Sequence, residues 1–376
     1  MLDTTDPNAL IIETARRFAQ ERLVPTAAAR EKAGRIEPEI VASLGEMGFF
    51  GATLSMDWGG SEIPYETYAQ VVEEIAAGDG SVSTLVSVHN APTCEILQKF
   101  GTDAQKERWL RPLATGAAIG SFALTESGAG SDAASIRTRA VRTNSGYTIN
   151  GSKQFISNAS IGQTTILFAV TDPAAGKKGI SAFIVANDTP GFRVDRVEHK
   201  LGQKASDSCA LSFEDMQVLD DQRIGAEGEG LKIALSTLES GRIGIAAQSV
   251  GMARAALDYA VAYARERRQF GKSILEHQAV AFRLVDAKTQ LAAARELTLK
   301  AARLKDAGEP ALEAAAMAKL FASEAAERIC SAAIQTLGGY GYLADYPVER
   351  IYRDVRVCQI YEGTSDVQRI ILSRML

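Results

Sequence analysis

The strongest constraint in this sequence is a double switch of period: apolar residues recur at helical spacing, then at strand spacing, then at helical spacing again. From residue 6 to about 115 the pattern is helical. Asp6 can cap a first helix, Pro7 suits its first turn, and Leu10, Ile11, Thr14, Ala15, Phe18 and Arg22 continue one face. Further helices are predicted over 66–77, 81–100 and 102–114, the last opened by Thr102 and Gln105 spaced as a capping box. Between about 119 and 219 the chain is rich in β-branched and aromatic residues broken by Gly, Asn, Asp and Pro. Strands are predicted over 121–125, 137–142, 147–150, 165–171, 180–186 and 209–213, with Asn144-Ser145-Gly146 as a turn. Short strands with no helices between them predict a barrel or sandwich. After residue 225 long amphipathic segments return at 230–268, 275–306, 310–336 and 365–376. Gly308-Glu309-Pro310 separates two of them, since Gly ends a helix readily and Pro begins one. The predicted fold class is mainly α with a β insert (α+β). It comprises an N-terminal helical domain over 1–117, a β-barrel-like middle domain over 118–225 and a C-terminal helical bundle over 226–376.

Composition narrows function by exclusion. A chain of 376 residues can enclose a large cofactor. With 23% charged residues, a formal net charge of −5, and Lys and Arg scattered rather than blocked, nothing points to a nucleic-acid partner. Cys94, Cys209, Cys330 and Cys358 lie too far apart for a zinc ribbon or a CxxC motif, which predicts free thiols. His89, His199 and His277 have no HExxH-like spacing, so no metal site is predicted. No apolar run approaches the ~20 residues of a membrane span. Residues 1–18 mix Asp3, Asp6, Glu13, Arg16 and Arg17 with apolar residues and lack the apolar core of a signal peptide. The expectation is a protein without membrane insertion, cytoplasmic in a bacterium or in the mitochondrial matrix of a eukaryote.

Four segments could carry chemistry. Thr125-Glu126-Ser127-Gly128-Ala129-Gly130-Ser131-Asp132 leaves a strand through two Gly and several hydroxyls, a loop able to approach a ligand closely and, seen alone, equally an ordinary turn. It is no Rossmann phosphate loop, because Ala133 and Ala134 follow where a third Gly would stand and no βαβ unit surrounds it. Asn150-Gly151-Ser152-Lys153-Gln154-Phe155-Ile156-Ser157-Asn158 reads as a hairpin-like turn followed by a strand on which alternation puts Phe155 and Ser157 on one face. Arg267-Arg268-Gln269-Phe270-Gly271, followed by Glu276-His277-Gln278, sets paired Arg beside a ring at a break between helices. That suits a phosphate and an aromatic system, or simply a charged helix surface. Ile360-Tyr361-Glu362-Gly363-Thr364-Ser365 follows Leu337-Gly338-Gly339-Tyr340-Gly341-Tyr342. Gly363 allows a sharp turn that projects Glu362 into a pocket, while Thr364 or Ser365 could merely cap the last helix.

In this order and at these separations the four segments resemble the acyl-CoA dehydrogenase family over essentially the whole chain. Leu238-Glu239-Ser240-Gly241-Arg242-Ile243-Gly244-Ile245 looks most like its short-chain, butyryl-type branch. The resemblance implies N-terminal helices, a barrel-like middle domain, a C-terminal four-helix bundle, FAD as cofactor and an acyl-CoA substrate. It implies that Phe122, Leu124 and Thr125 line the flavin pyrimidine, that Phe155, where many members carry Trp, packs on the isoalloxazine, and that the Ser157 hydroxyl faces flavin N5. Arg267 and Phe270 match residues that bind FAD across a subunit boundary, Gln278 an adenine-side contact, and Gln335, Gly338 and Gly339 a stretch that approaches the pyrophosphate from another subunit. A homo-oligomer, usually a homotetramer, is thereby implied. Thr364 corresponds to an FAD contact, and so does Asp366, where Glu or Gln is commoner. Ser131 matches a contact to CoA, and Glu239, Arg242, Tyr361 and Gly363 are assigned to the substrate. Glu362 matches the catalytic base. Members that carry the base on a bundle helix have it immediately before the counterpart of Arg242, where this chain has Gly241.

The implied reaction belongs to fatty-acid β-oxidation: α,β-dehydrogenation of a short-chain acyl-CoA to the trans-2-enoyl-CoA, with electrons passed on to an electron-transfer flavoprotein. Glu362 would take the α-proton while flavin N5 accepts the β-hydride. An α-proton of a thioester is weakly acidic, so the developing enolate oxygen needs donors, by resemblance the Glu362 N–H and a ribityl hydroxyl. Burial beside the acyl chain predicts that the Glu362 pKa rises toward neutrality. Residues 80–92 hold no Arg or Lys to anchor a distal carboxylate, which favours a plain acyl chain. Alternatives on the same fold are an acyl-CoA oxidase or another thioester eliminase. A non-catalytic flavin or acyl-CoA carrier is disfavoured by the presence of Glu362.

Overall fold

The computed structural model describes residues 6–376, and residues 1–5 of the N-terminal reading lie outside it. Asp6 accepts the N–H of Asn8 at 2.9 Å and Pro7 opens α1 (Pro7–Phe18), as the sequence predicts. After α2 (Ala27–Ala33) and α3 (Pro38–Glu46) come α4 (Tyr65–Gly78) and α5 (Gly80–Val88), both largely buried. The single helix predicted over 81–100 is broken. Ala91 leaves the helical region (φ −131°, ψ 117°) ahead of Pro92, so the helix resumes only as α6 (Glu95–Phe100). Proline disfavours αR in the residue before it and brings no N–H. The capping box forms, Thr102 and Gln105 each bonding the other's backbone N–H, and opens the run of short helical segments that includes α7 (Asp103–Gln105) and α8 (Arg111–Ala114).

The middle of the chain is one mixed sheet of eight strands: β1 (Gly120–Ala123), β2 (Arg139–Arg142), β3 (Gly146–Ile156), β4 (Thr164–Val170), β5 (Ile180–Ala186), β6 (Phe192–Val197), β7 (Cys209–Leu219) and β8 (Arg223–Ile224). Their order is β6-β7-β3-β2-β4-β5-β8, with β1 parallel to β4. β2 meets β4 through one parallel pairing, Arg139 to Val170, so the sheet bends there into two leaves. Tyr147, Ile149, Leu167, Phe183, Phe213 and Met216 fill the space between the leaves. The opposite face of β4 and β5, through Ile166, Phe168, Ala182 and Ile184, packs on the helices around Leu97 and Leu113. Asn150-Gly151 is not a turn. β3 runs straight through it, and Gly151 sits at a register shift against β7 where a Cβ would meet Thr138 at 2.6 Å. The pattern misses β6 because five of its six residues are exposed, leaving no alternation to read.

The chain ends in three long helices, α9 (Gly230–Glu266), α10 (Gln278–Asp306) and α11 (Leu312–Leu337), then α12 (Pro347–Val355) and α13 (Ser365–Ser373), which packs along α11. A small hairpin, β9 (Arg268–Gln269) and β10 (Lys272–Ser273), joins α9 to α10. α9 also reaches into the N-terminal helices along a stripe at Gly244, Gln248 and Gly251. A Cβ at Gly244 would stand 2.6 Å from Ser87 Oγ and one at Gly251 2.9 Å from Ala76 Cβ, so small residues are what let α9 touch α4 and α5. Buried carboxylates of α4 tie it to α1, α9 and α10: Glu74 pairs with Arg16 (3.0 Å) and Arg254 (2.7 Å), and Glu73 with Arg295 (2.9 Å).

Candidate functional site

Glu362 and Gly363 form a left-handed turn (φ +54° and +86°) just before α13. That conformation is routine for Gly and costly for Glu, so the surroundings must hold it. Lys319 of α11, fully buried, donates Nζ to the Gly363 carbonyl at 2.6 Å. Gln368 of α13 donates Nε2 to the same carbonyl at 2.9 Å and to the Glu362 carbonyl at 3.3 Å. Thr364 caps α13 by accepting the Val367 N–H at 3.2 Å. The turn sets the carboxyl group against α9: a Cβ added to Gly241 would stand 2.6 Å from Glu362 Oε2 and 2.9 Å from its Cδ. Oε2 is buried and without a hydrogen-bond partner, as are Nε and Nη1 of Arg242, Ser365 Oγ and Gln368 Oε1. So many unmet polar atoms in one place mark a ligand site, because sealed polar groups without partners are costly. Burial pushes the Glu362 carboxyl up to about 7, against the opposing pull of Arg242 and Lys319. Burial likewise lowers the Lys319 ammonium to about 8. Arg242 is lowered by burial too, with Glu362 and Glu239 drawing it back up.

Beneath the turn a polar network joins four stretches of chain. The Tyr361 hydroxyl donates to Gln248 Oε1 and accepts from Gln203 Nε2 at 3.4 Å. Gln248 Nε2 donates to Gly80 O (3.0 Å), Ser83 Oγ (2.7 Å) and Thr84 Oγ1 (2.6 Å), and Thr84 donates to Gln203 Oε1 at 2.6 Å. Lys319, Gln368, Gln248, Gln203 and Thr84 all escape the sequence reading. Two of them carry a signal in hindsight: Gln248 interrupts the apolar run Ile243 to Val250, and Lys319 the run Ala314 to Leu320.

The middle domain contributes a second set. Gln154 N–H donates to Thr125 O at 2.9 Å, which brings the end of the Phe122-Ala123-Leu124-Thr125 segment against β3 next to Phe155. Leu124 is buried, and Phe122 lies edge-on to Phe168 at 5.1 Å. Alternation does not place Phe155 and Ser157. Phe155 takes a left-handed conformation (φ +61°) at a register shift between Lys153 and Ile156, leaving its ring 63% exposed, and Ser157 lies in the turn after the strand. Glu126, inside the glycine-rich loop, is structural. Its carboxylate accepts from Arg137 N–H (2.6 Å), Thr138 N–H (3.0 Å) and Lys153 Nζ (2.8 Å). Ser131 is exposed farther along that loop.

A third set stands far away. The Arg267 guanidinium lies 5.7 Å from the Tyr340 ring, in an open cleft of about 550 Å³ that Gly338, Gly339, Thr336 and Gln269 also line. Phe270, left-handed at φ +52°, is 94% exposed with its ring edge-on to His277. Gln278 and Gln335 are exposed nearby in sequence, at the start of α10 and the end of α11. Arg267 follows Gly241 by nearly the remaining length of α9, about 39 Å along a helix axis at 1.5 Å per residue. The structure therefore does not bring Arg267 and its neighbours together with Glu362 of the same chain. Asp366 stands apart as well, its exposed carboxylate 3.7 Å from Arg369. Glu239 is half-buried on α9 beside Arg242.

Three family models match this chain: acyl-CoA dehydrogenase N-terminal domain over residues 5–117, middle domain over 121–216 and C-terminal domain over 228–376. The chain belongs to the acyl-CoA dehydrogenase family. It is 42% identical to a short-chain specific acyl-CoA dehydrogenase of Clostridium acetobutylicum, with 98% of this chain and 97% of that protein aligned. The solved butyryl-CoA dehydrogenase of Megasphaera elsdenii superposes with a TM-score of 0.97 at 41% identity, covering 100% of this chain and 99% of that one. PigA with FAD and proline superposes with a TM-score of 0.95 at 32% identity, covering 100% of this chain and 98% of that one. This acyl-CoA dehydrogenase holds, among its described residues, no cluster of His, Cys, Asp and Glu suited to a metal ion and no helix long and apolar enough to cross a membrane. Its four cysteines are buried and free.

Proposed function

We propose that this enzyme oxidises a short-chain acyl-CoA to the trans-2-enoyl-CoA, with Glu362 as the base that removes the α-proton. The observation that carries this reading is the Glu362 carboxyl itself, raised to about 7 by burial and ending in an oxygen with no partner. A base near neutrality suits a weak carbon acid at physiological pH, and an unpartnered oxygen can take a proton without first breaking a bond. The Glu362 N–H makes no backbone hydrogen bond among the described residues and is free to steady the thioester oxygen as negative charge develops on it. Arg242, next to Gly241, counters charge on the carboxylate.

The residues present fit FAD. The exposed Phe155 ring beside Thr125 and Ser157 offers a face and hydroxyls to a flat polar ring, and the Arg267 cleft floored by Gly338 and Gly339 offers a cation and open backbone to a pyrophosphate. When bound, FAD supplies the acceptor for the β-hydride, a redox capacity no side chain has. Because about 39 Å of α9 separates Gly241 from Arg267, one FAD cannot use both sets in one chain as they stand. We assign Arg267, Phe270, Gln278, Gln335, Gly338 and Gly339 to the site of another subunit in a homo-oligomer, by resemblance a tetramer. Phe122, Leu124, Thr125, Phe155, Ser157 and Thr364 serve the chain's own site, and Ser131, Glu239, Arg242, Tyr361 and Gly363 face the substrate. Asp366, in the first turn of α13 with its exposed carboxylate 3.7 Å from Arg369, is assigned to FAD together with Thr364. Electron-transfer flavoprotein is the proposed acceptor, and the bacterial cytoplasm or mitochondrial matrix the proposed compartment.

The deciding experiment is anaerobic addition of butyryl-CoA to the purified flavoprotein. Bleaching of the flavin band is expected, together with a kcat/KM for butyryl-CoA above that for glutaryl-CoA. A band that persists with every short thioester would overturn the proposal, and rapid reoxidation in air with peroxide formation would redirect it to an oxidase.

A further inference from the structure

We infer that Lys319 is a positioning residue for this reaction: it locks the left-handed Glu362–Gly363 turn through the Gly363 carbonyl and stations a positive charge behind the carboxylate. The inference rests on the reading of Glu362 as the base. Lys319 stands in an alanine-rich stretch of α11 and is fully buried, with Nζ 2.6 Å from Gly363 O and no carboxylate within ion-pair distance among the described residues. Anchoring a carbonyl needs only a neutral donor, and Gln368 already supplies one to the same oxygen at 2.9 Å. A buried, unpaired ammonium is a costly way to duplicate that bond, so the charge calls for its own account.

The groups that face Lys319 provide it. They are Glu362 in the turn, Arg242 on α9, Cys358 just before the turn and Glu324 one helical turn and more along α11 itself. Arg242 repels Lys319, Cys358 is held protonated by burial, and Glu324 is already paired with Arg369 at 2.6 Å. Glu362 remains as the group toward which the charge acts, and it is the group whose left-handed backbone the same Nζ holds. Burial raises the Glu362 carboxyl. Two cations, Arg242 of α9 and Lys319 of α11, oppose that rise and hold the carboxyl near neutrality, where it can give up its proton and act. Lys319 thus couples the geometry of the base to its acidity through one atom.

The test compares flavin-loaded Lys319→Met, Lys319→Gln and Gln368→Leu with wild type, using butyryl-CoA. Lys319→Met removes charge and bond, Lys319→Gln can restore the bond without charge, and Gln368→Leu removes a bond but no charge. For Lys319→Met we expect kcat at pH 7 to fall about tenfold or more with a smaller change in KM, and the acid limb of kcat to move about one pH unit higher. Lys319→Gln should recover part of kcat but keep the displaced limb, whereas Gln368→Leu should lose kcat with the limb in place. A readout free of turnover is the infrared carboxyl band of Glu362, obtained as wild type minus Glu362→Gln, whose titration should move upward in both Lys319 variants. If limb and band stay put in both while only thermal stability or FAD content drops, Lys319 is merely structural and the inference falls. Should Lys319→Met not fold, Lys319→Gln alone decides. Failure of the underlying reading looks different: Glu362→Gln would retain turnover, whatever the Lys319 variants do.

Discussion

Two buried lysines, one in the sheet and one in the helical bundle, show how the same residue type serves opposite ends. Lys153 on β3 is sealed from solvent and donates to Glu126 Oε1 at 2.8 Å and Leu124 O at 2.9 Å. Its carboxylate partner is closed in turn by the Arg137 and Thr138 N–H groups, so the ensemble is complete and simply pins the glycine-rich loop to the strand. Lys319 on α11 is equally sealed, and burial lowers both ammonium groups to about 8. Yet Lys319 grips a carbonyl, and the carboxylate it faces ends in an oxygen with nothing bound. A satisfied network stabilises, whereas a network left one partner short is held ready for a ligand. The difference lies in the accounting of hydrogen bonds, since depth and residue type are the same.

The comparison can be broken most directly at Glu362. Replacing it by Gln should reduce flavin-linked turnover of butyryl-CoA by about 10²-fold or more, measured by stopped-flow bleaching. The same substitution carries a pH signature. Because folding raises this carboxyl from its ordinary 4.5 to about 7, the unfolded chain releases the proton first, and wild-type stability declines as pH rises through about 7. Glu362→Gln should therefore melt higher than wild type at pH 8.5 and close to it at pH 5. Next in size is Lys153→Met, which strands Glu126 and should cost about 3–5 kcal/mol in denaturant unfolding, with much of the loss recovered in the double variant with Glu126→Gln. Lys319→Met should reverse the ranking, losing less stability and more kcat. Gly241→Ala would push a methyl into the Glu362 carboxyl at 2.6 Å and should reduce kcat roughly tenfold while the melting temperature changes little. Smallest is Thr102→Ala, which breaks a cap remote from both lysines. It should cost about 1 kcal/mol in unfolding and leave kcat unchanged.

The site divides into what short-range pattern could reveal and what it could not. Glu362 beside Gly363, the Arg267 segment and the Gly338-Gly339 pair stand out because Gly and charge at a break between helices are conspicuous in a one-dimensional reading. The hairpin expected at Asn150-Gly151 and the strand alternation expected to align Phe155 with Ser157 fail for one reason: register shifts against β7 interrupt the strand pattern, and a shift is a property of the partner strand. Lys319, Gln368 and Gln248 stay hidden because a lone polar residue on a long helix reads as surface until a neighbouring helix covers it.

By itself the sequence determined the order of helices, strands and helices, the caps at Asp6 and Thr102, the break at Gly308 and the turn that carries Glu362, all of which rest on contacts a few residues apart. Only the tertiary structure decided that Lys319 and Gly241 meet across Glu362 from two different helices, that Gln248 binds the start of α5, and that Arg267 lies about 39 Å along α9 from Gly241. Periodicity states which face of a helix is apolar. Which helix it faces, at what height, and which polar atom is left without a partner follow from packing alone.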